Sequence, residues 1–230
     1  MIKLTHPERR LRDLLVSAAN TWPRKPDQTE SLIVRFAGGW VRDKLLSREN
    51  ADIDVAVNIA TGVQFASHVE EFIDKIPDIK EHFRYNTINR NVEQSKHLET
   101  ATAKFMGLEL DFVNLRSEEY TDNSRIPESM RFGSPKEDAE RRDLTINSLF
   151  YNLHTESVED FTGMGVEDIR NGIIRTPLDP MQTFIDDPLR VLRAVRFAAR
   201  LNFKINHNVK NAMMDERVKV CPMLLDLLIL

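Results

Sequence analysis

The chain has 230 residues, 41% hydrophobic and 30% charged, enough apolar material for one substantial core or two modest ones, which excludes a disordered tail. Lys and Arg number 32 against 36 Asp and Glu, a net charge of −4, so bulk positive charge is not available for nucleic acid and any such site is a local basic face. A single cysteine, Cys221, excludes an intramolecular disulfide framework and a Cys-based zinc module, and no apolar run approaches the ~20 residues of a bilayer span, so an intracellular soluble protein is expected.

In chain order, Leu11, Leu14, Leu15 and Ala18 fall at helical spacing between Pro7 and Ala19, and a polar, Pro-containing loop follows from Pro23 to Glu30. Leu32 to Ala37 is a short branched strand that runs into Gly38-Gly39 and then into the helix-like WVRDKLL. Asp52 to Val57 alternates as a strand, and Val63 to Ile76 is helical with Phe65, Val69, Phe72 and Ile73 on one face. Ile79 to Lys96 is polar and carries no assignable period. His97 to Arg116 is expected to form two strands turning near Gly107, and Ser117 to Pro135 a polar, mobile loop. Lys136 to Leu149 has a helical pattern, Tyr151 to Phe161 that of a short hairpin, and everything after Ile173 that of helices, notably Asp187 to Leu201. Strands first and helices last make an α+β chain, with a head over residues 1–170 and a helical follow-on over residues 171–230.

Four groups of residues could carry chemistry. Alternation in the strand at 52–57 places Asp52 and Asp54 on one face and Ile53, Val55 and Val57 on the other. Two carboxylates held that close call for a cation, and hard oxygen ligands suit Mg²⁺ or Mn²⁺, although a lone D-x-D also describes a solvated strand edge. Asp111, in another alternating strand with Glu109 and Val113 on its face, is the natural third carboxylate. The Gly38-Gly39 turn opens a helix with Arg42 one turn in, a place where backbone N–H groups can meet phosphate, and the D-x-D strand begins 13 residues after Gly39. Such an order is the equipment of nucleotidyl transfer.

Arg141, Arg142 and Asp143 sit together on a stretch expected to be helical, either as surface ion pairs or with Arg142 on phosphate and Asp143 on a ribose hydroxyl. A helix over 187–201 would gather Arg190, Arg193, Arg196 and Arg200 within about 120° and pack Val191, Leu192, Val195, Ala198 and Ala199 opposite them. Asp187 and Arg190 are neighbours there, as an ordinary i,i+3 pair or as a reader of bases. Cytosine and adenine both present an amino donor beside an unprotonated ring nitrogen. An Asp acceptor next to an Arg donor therefore suits C and A and mismatches G and U, with about 1–3 kcal/mol of discrimination per good pair.

The ordered set FAGGWVRDKLL, ADIDVAV, HLETATAKFMGLELDFVNLR, RFGSPKEDAERRDLTINSLFYNL, EDFTGMGVEDIRNGIIRTPLDP and TFIDDPLRVLRAVRFAARLNF resembles the class II CCA-adding tRNA nucleotidyltransferases, in particular eukaryotic, fungal-like members. Bacterial-type poly(A) polymerases share much of the same head. The resemblance covers residues 30–217 and implies a polymerase-β-like nucleotidyltransferase head, a mixed sheet flanked by helices, followed by an all-helical neck. It implies two Mg²⁺ ions, with Mn²⁺ as a substitute, on Asp52 and Asp54, with Asp111 an additional carboxylate. It assigns the triphosphate to Gly38, Gly39 and Arg42, ribose and phosphate to Arg141, Arg142 and Asp143, and the base to Asp187 and Arg190, with Arg193 and Arg196 continuing that face. Asp186 stands where many bacterial members carry Glu. The implied substrates are CTP and ATP, the implied partner is the tRNA 3′ end, and the expected compartments are cytoplasm and nucleus, with a mitochondrial pool. The family pattern fades after Val218, where the chain reads KVCPMLLDLLIL, so nucleotide binding is expected to survive better than tRNA binding. A poly(A) polymerase and a weakly catalytic nucleotide-binding form are the alternatives.

Overall fold

The computed structural model describes residues 2–24, 29–76, 83–88, 100–119 and 129–219. Helix α1 (His6–Asn20) starts at a capping box: the Thr5 hydroxyl accepts from the Glu8 N–H while the Glu8 carboxylate accepts from the Thr5 N–H. Strand β1 (Val34–Ala37) leads through Gly38 into α2 (Gly39–Leu45), and β2 (Asp52–Val57) follows. Helix α3 (Gly62–Asp74) opens on a second capping box, Thr61 with Gln64. A Cβ at Gly62 would lie 2.0 Å from the Phe112 carbonyl oxygen, so only glycine lets this helix start seat against the next strands. These are β3 (Tyr85–Ile88), β4 (Thr100–Phe105) and β5 (Leu108–Asn114), with the β4–β5 turn at Met106-Gly107, both at positive φ. The remaining elements are β6 (Arg116–Glu119), β7 (Ser129–Phe132), α4 (Pro135–Glu140), a 3₁₀ turn (Thr145–Asn147), β8 (Phe150–Asn152), β9 (Ser157–Glu159), α5 (Gly165–Asn171), β10 (Ile173–Ile174), α6 (Pro180–Asp186), α7 (Leu189–Leu201), β11 (Lys204–Ile205), α8 (His207–Met213) and α9 (Glu216–Lys219).

One compact unit comprises Met1–Arg116, Phe132–Pro135 and Phe150–Glu159. It is built on a seven-stranded mixed sheet of order β3-β4-β5-β2-β1-β8-β9, in which only β2 and β5 run parallel. The expected alternation is present. Phe36, Ile53, Val55, Leu110 and Phe112 are at most 2% exposed and share one face by register. Helix α3 packs on β2, β4 and β5 and α1 on β1, with Phe112 between the rings of Phe65 (6.0 Å) and Phe83 (5.9 Å, edge-on). Each fully buried large side chain contributes roughly 1.5–3 kcal/mol.

The second unit comprises Ser117–Arg131, Lys136–Leu149 and Asp160–Leu230. Its segments come from both sides of residue 149, so the division runs in interleaved stretches rather than at one boundary. Four local expectations need correction. The stretch from Ser117 to Pro135 contributes the paired strands β6 and β7, and its middle, 120–128, lies outside the described residues. The helix expected over Lys136 to Leu149 stops at Glu140. Asp143 turns its carboxylate onto the Leu144 N–H (2.8 Å), Leu144 is extended (φ −136°, ψ 143°), and the Thr145 N–H donates to the Arg175 carbonyl, so local side-chain bonding and a tertiary strand-like contact override the helical pattern. The region after 171 is not wholly helical, because β10 pairs with β11 in parallel. In α7 the buried stripe is Ala194, Phe197 and Leu201, while Leu192 (39%) and Val195 (48%) are exposed, which places the packing face about 125° from where it was expected.

In the first unit Glu8, 2% exposed, accepts from Trp40 Nε1 (3.1 Å) and Lys44 Nζ (2.8 Å) and so ties α1 to the helix that follows the Gly38 turn. Burial alone would raise its pKa, but hydrogen bonds from Lys44 and Thr5 and the Lys44 charge hold it below the ordinary value of 4.5. A lowered carboxylate pKa means stability that is present above the unfolded value and lost as pH falls through the folded one. Glu8→Ala should therefore cost about 3–5 kcal/mol in urea unfolding at pH 7, by stranding a buried ammonium, with the gap to wild type narrowing below pH 4.5.

Candidate active site

Parallel pairing sets Asp54 opposite Asp111 and Asp52 opposite Glu109, on strands about 4.8 Å apart. All four carboxylates share the sheet face opposite the Phe112 core. The three expected carboxylates, Asp52, Asp54 and Asp111, are thus brought together, and Glu109 joins them. Alternation already put Glu109 on this face, but no role was expected of it. The Lys104 ammonium pairs with Glu109 at 2.8 Å. Partial desolvation raises the pKa of Asp111 above the ordinary carboxylate value, and the negative charges of Asp52 and Glu109 raise it further.

Among the described residues, no group of three or more His, Cys, Asp or Glu side chains is spaced to hold a metal ion by itself. Mg²⁺ commonly takes one or two protein carboxylates and fills its octahedron with water and substrate phosphate, a ligand number that Asp52 and Asp54 could supply. A divalent cation on this face would relieve the like-charge repulsion that Asp52 and Glu109 exert on Asp111.

Gly38, at φ 65° and ψ −122°, caps α2 with no side-chain hydrogen bond, so the turn presents backbone alone. A Cβ on Gly39 would meet only the Arg42 guanidinium, at 3.6 Å. Arg42 itself is buried and gripped by Asp43, through Nε (2.8 Å) and Nη2 (2.9 Å), and Asn50 also donates to Asp43. The residue expected to meet phosphate is therefore held by an adjacent carboxylate that the sequence pattern did not single out.

In the second unit the R-R-D segment is organised by Asp138, 1% exposed. One oxygen accepts from Arg141 Nε and Nη2 (2.9 and 2.6 Å), the other from Arg142 Nε (3.1 Å), and Arg142 Nη1 donates to the Asn147 carbonyl. Asp138 lies three and four residues before the two arginines, a spacing legible in the sequence. Asp143 accepts from the Leu144 N–H, Asn147 Nδ2 (3.1 Å) and Arg193 Nε (2.7 Å). Arg193 thereby joins the segment, whereas the Arg196 guanidinium lies over the Phe197 ring at 5.1 Å. Asp187 precedes α7 rather than lying within it, in extended conformation at the α6 end, where its carboxylate accepts from the Leu189 N–H (3.0 Å). It still approaches Arg190 Nε at 3.8 Å, and Arg190 Nη2 donates to the Arg141 carbonyl (2.9 Å). Arg190, Arg141, Glu137 and Asp186 line a cavity of about 270 Å³.

Residues 34–175 match the family described as the Poly A polymerase head domain. The chain belongs to that family. The chain is 48% identical over 223 residues to the mitochondrial CCA tRNA nucleotidyltransferase of Saccharomyces cerevisiae, covering 95% of this chain and 40% of the yeast protein. Among solved structures it superposes on an apo CCA-adding enzyme with a TM-score of 0.72 at 27% identity, over 91% of this chain and 44% of that one. It also matches a tRNA nucleotidyltransferase complexed with a primer tRNA and an incoming ATP analogue, with a TM-score of 0.61 at 30% identity, over 79% and 46% of the two chains. The chain spans less than half the length of the relatives it matches. No helix among the described residues is long and apolar enough to cross a membrane.

Because repulsion from Asp52 and Glu109 acts on Asp111, Asp111→Asn should stabilise the metal-free chain at pH 7.5 by about 0.2–1 kcal/mol. A raised folded pKa costs stability above the unfolded value, so the gain should shrink as pH falls through the carboxylate range. Melting temperatures at pH 7.5 and pH 4 in EDTA check this.

Proposed function

We propose that this chain is a template-independent tRNA nucleotidyltransferase that adds C, C and A from CTP and ATP to the tRNA 3′ end. The observation that carries the reading is the register of Asp52 and Asp54 beside Asp111 on paired parallel strands, with a glycine turn and one short helix before the first of them, in a chain 48% identical to a CCA tRNA nucleotidyltransferase. The matched structure with primer tRNA and an ATP analogue supports the substrate class.

Asp52 and Asp54 would hold two Mg²⁺ ions, with Mn²⁺ as a substitute. Bound there, the metal lowers the pKa of the primer 3′ hydroxyl and neutralises the leaving pyrophosphate. Asp111 orients the attacking hydroxyl from the neighbouring strand. The uncapped turn at Gly38 and Gly39 receives the triphosphate, and Asp43 fixes Arg42 beneath it. Arg141 and Arg142, set by Asp138, supply the positive charge that a phosphate would meet. Asp143 holds Asn147 and the Leu144 N–H through Oδ1 and Arg193 through Oδ2, and Oδ2, with a second lone pair, takes the ribose hydroxyl.

Asp187 and Arg190 read the base. The Arg141 carbonyl fixes the Arg190 guanidinium in place, and Asp187 supplies the acceptor for the amino group shared by cytosine and adenine. The yeast relative is named as mitochondrial, and the reading extends to cytoplasmic, nuclear and mitochondrial pools.

Incubation with Mg²⁺, labelled NTPs and a tRNA lacking its last three nucleotides tests the proposal. Two C additions and one A are expected, abolished in an Asp52→Ala, Asp54→Ala double variant; a long A tail would assign the chain to poly(A) synthesis instead. Asp187→Ala should lower the preference for CTP over UTP by roughly 5- to 150-fold, the loss of about 1–3 kcal/mol, measured as the ratio of kcat/KM values.

A further inference from the structure

A second concavity lies on the first unit, on the carboxylate face of its sheet. It has a volume of about 680 Å³, the size of pocket that holds a nucleotide-sized ligand. Ile33, Ile59 and Pro135 contribute apolar walls and Phe132 an aromatic one. Phe132 is 53% exposed, and among the described residues no ring stacks on it. Arg35 also lines the cavity. Its side chain is 6% exposed and its Nε donates to Glu159 Oε2 at 2.6 Å, but its buried Nη1 has no hydrogen-bond partner. A buried donor left without an acceptor costs about 1–3 kcal/mol, so this orphan points to an absent acceptor.

Charge decides what kind of acceptor fits. Glu159 already neutralises Arg35, and Glu30 adds a second carboxylate to the lining. A phosphate would place another anion among them. A carbonyl or ring nitrogen satisfies the guanidinium without that repulsion, and a planar heterocycle bearing such a group also supplies the face that an exposed phenyl ring stacks against.

Position separates this cavity from the reacting centre. Asp54 pairs with Ala37, whereas the cavity takes Ile33 and Asn58, four residues farther along each strand, or about 13 Å at strand rise. We propose that the cavity receives an unstacked nucleobase of the RNA substrate, upstream of its reacting 3′ end, with the base on Phe132 and an acceptor edge toward Arg35. This inference rests on the nucleotidyltransferase reading above, and it adds a specific RNA contact on the unit that carries the carboxylates.

The test uses the full chain, an RNA oligonucleotide ending in CC, and the same RNA with 5-iodouridine at each of the three positions preceding CC. Phe132→Ala should weaken RNA binding by roughly 5- to 100-fold, the range of one base-on-aromatic stack, while Phe132→Tyr stays near wild type. Affinities for CTP and ATP should be unchanged in both variants, and irradiation should cross-link one iodouridine position to the peptide containing Phe132. Equal RNA affinity in Phe132→Ala, or cross-links confined to other peptides, overturns the inference. If wild type binds CTP and ATP but no RNA, the cavity assignment fails and the nucleotidyl-transfer reading stands. If it binds neither nucleotide nor RNA, both fail.

Discussion

The parallel pairing of β2 with β5 is the constraint on which the rest of the molecule turns. It is the one parallel contact in a sheet otherwise antiparallel, and its register sets like charges side by side on one face while stacking Val55 and Phe112 on the other. The apolar face supplies the free energy that the charged face costs. Parallel pairs require a crossover of a dozen or more residues, and here that crossover carries α3, which covers the apolar side. The Gly62 start of α3 lies directly against the β5 backbone, so the helix that buries the core also fixes the strand carrying Asp111.

The cations are handled by a different principle. None of the arginines at 42, 141, 142 and 193 is left to find its own position. Asp43, Asp138 and Asp143 each fix a guanidinium within 3.1 Å, and Asp138 and Asp143 do so while nearly removed from solvent. A guanidinium is planar with five N–H donors, so a carboxylate that grips one edge fixes the direction of all five. Long flexible side chains become rigid donors, and their rotamer entropy is lost on folding rather than on binding.

Much of this was legible in the sequence. Period-two alternation located Asp52, Asp54 and Asp111 on one face, and the glycine pair located the turn, because both signals arise from local backbone geometry. What escaped was decided by tertiary contact. The helical pattern over 136–149 is broken by hydrogen bonds to Asp143 and to the distant Arg175 carbonyl. In α7, Leu192 and Val195 satisfy an apolar helix pattern yet stay exposed, because the stripe through Ala194, Phe197 and Leu201 is the one that finds a partner. Asp187 falls outside α7 because Pro188 separates two helices that periodicity alone joins. Asp138 was readable at three and four residues from its arginines, but nothing local distinguishes a buried organiser from a surface ion pair.

The sheet also dictates when this chain can become a protein. Arg35 pairs with Asn152, a separation of 117 residues, and β8 and β9 complete an edge that β1 cannot close by itself. At a synthesis rate of roughly 5–20 residues per second, that partner emerges about 6–23 s after β1. Most of the intervening chain belongs to the same sheet, but some of it belongs to the other unit, so neither unit can finish on the ribosome before the other has begun. During that interval the unpaired edge of β1 is a template for wrong pairing.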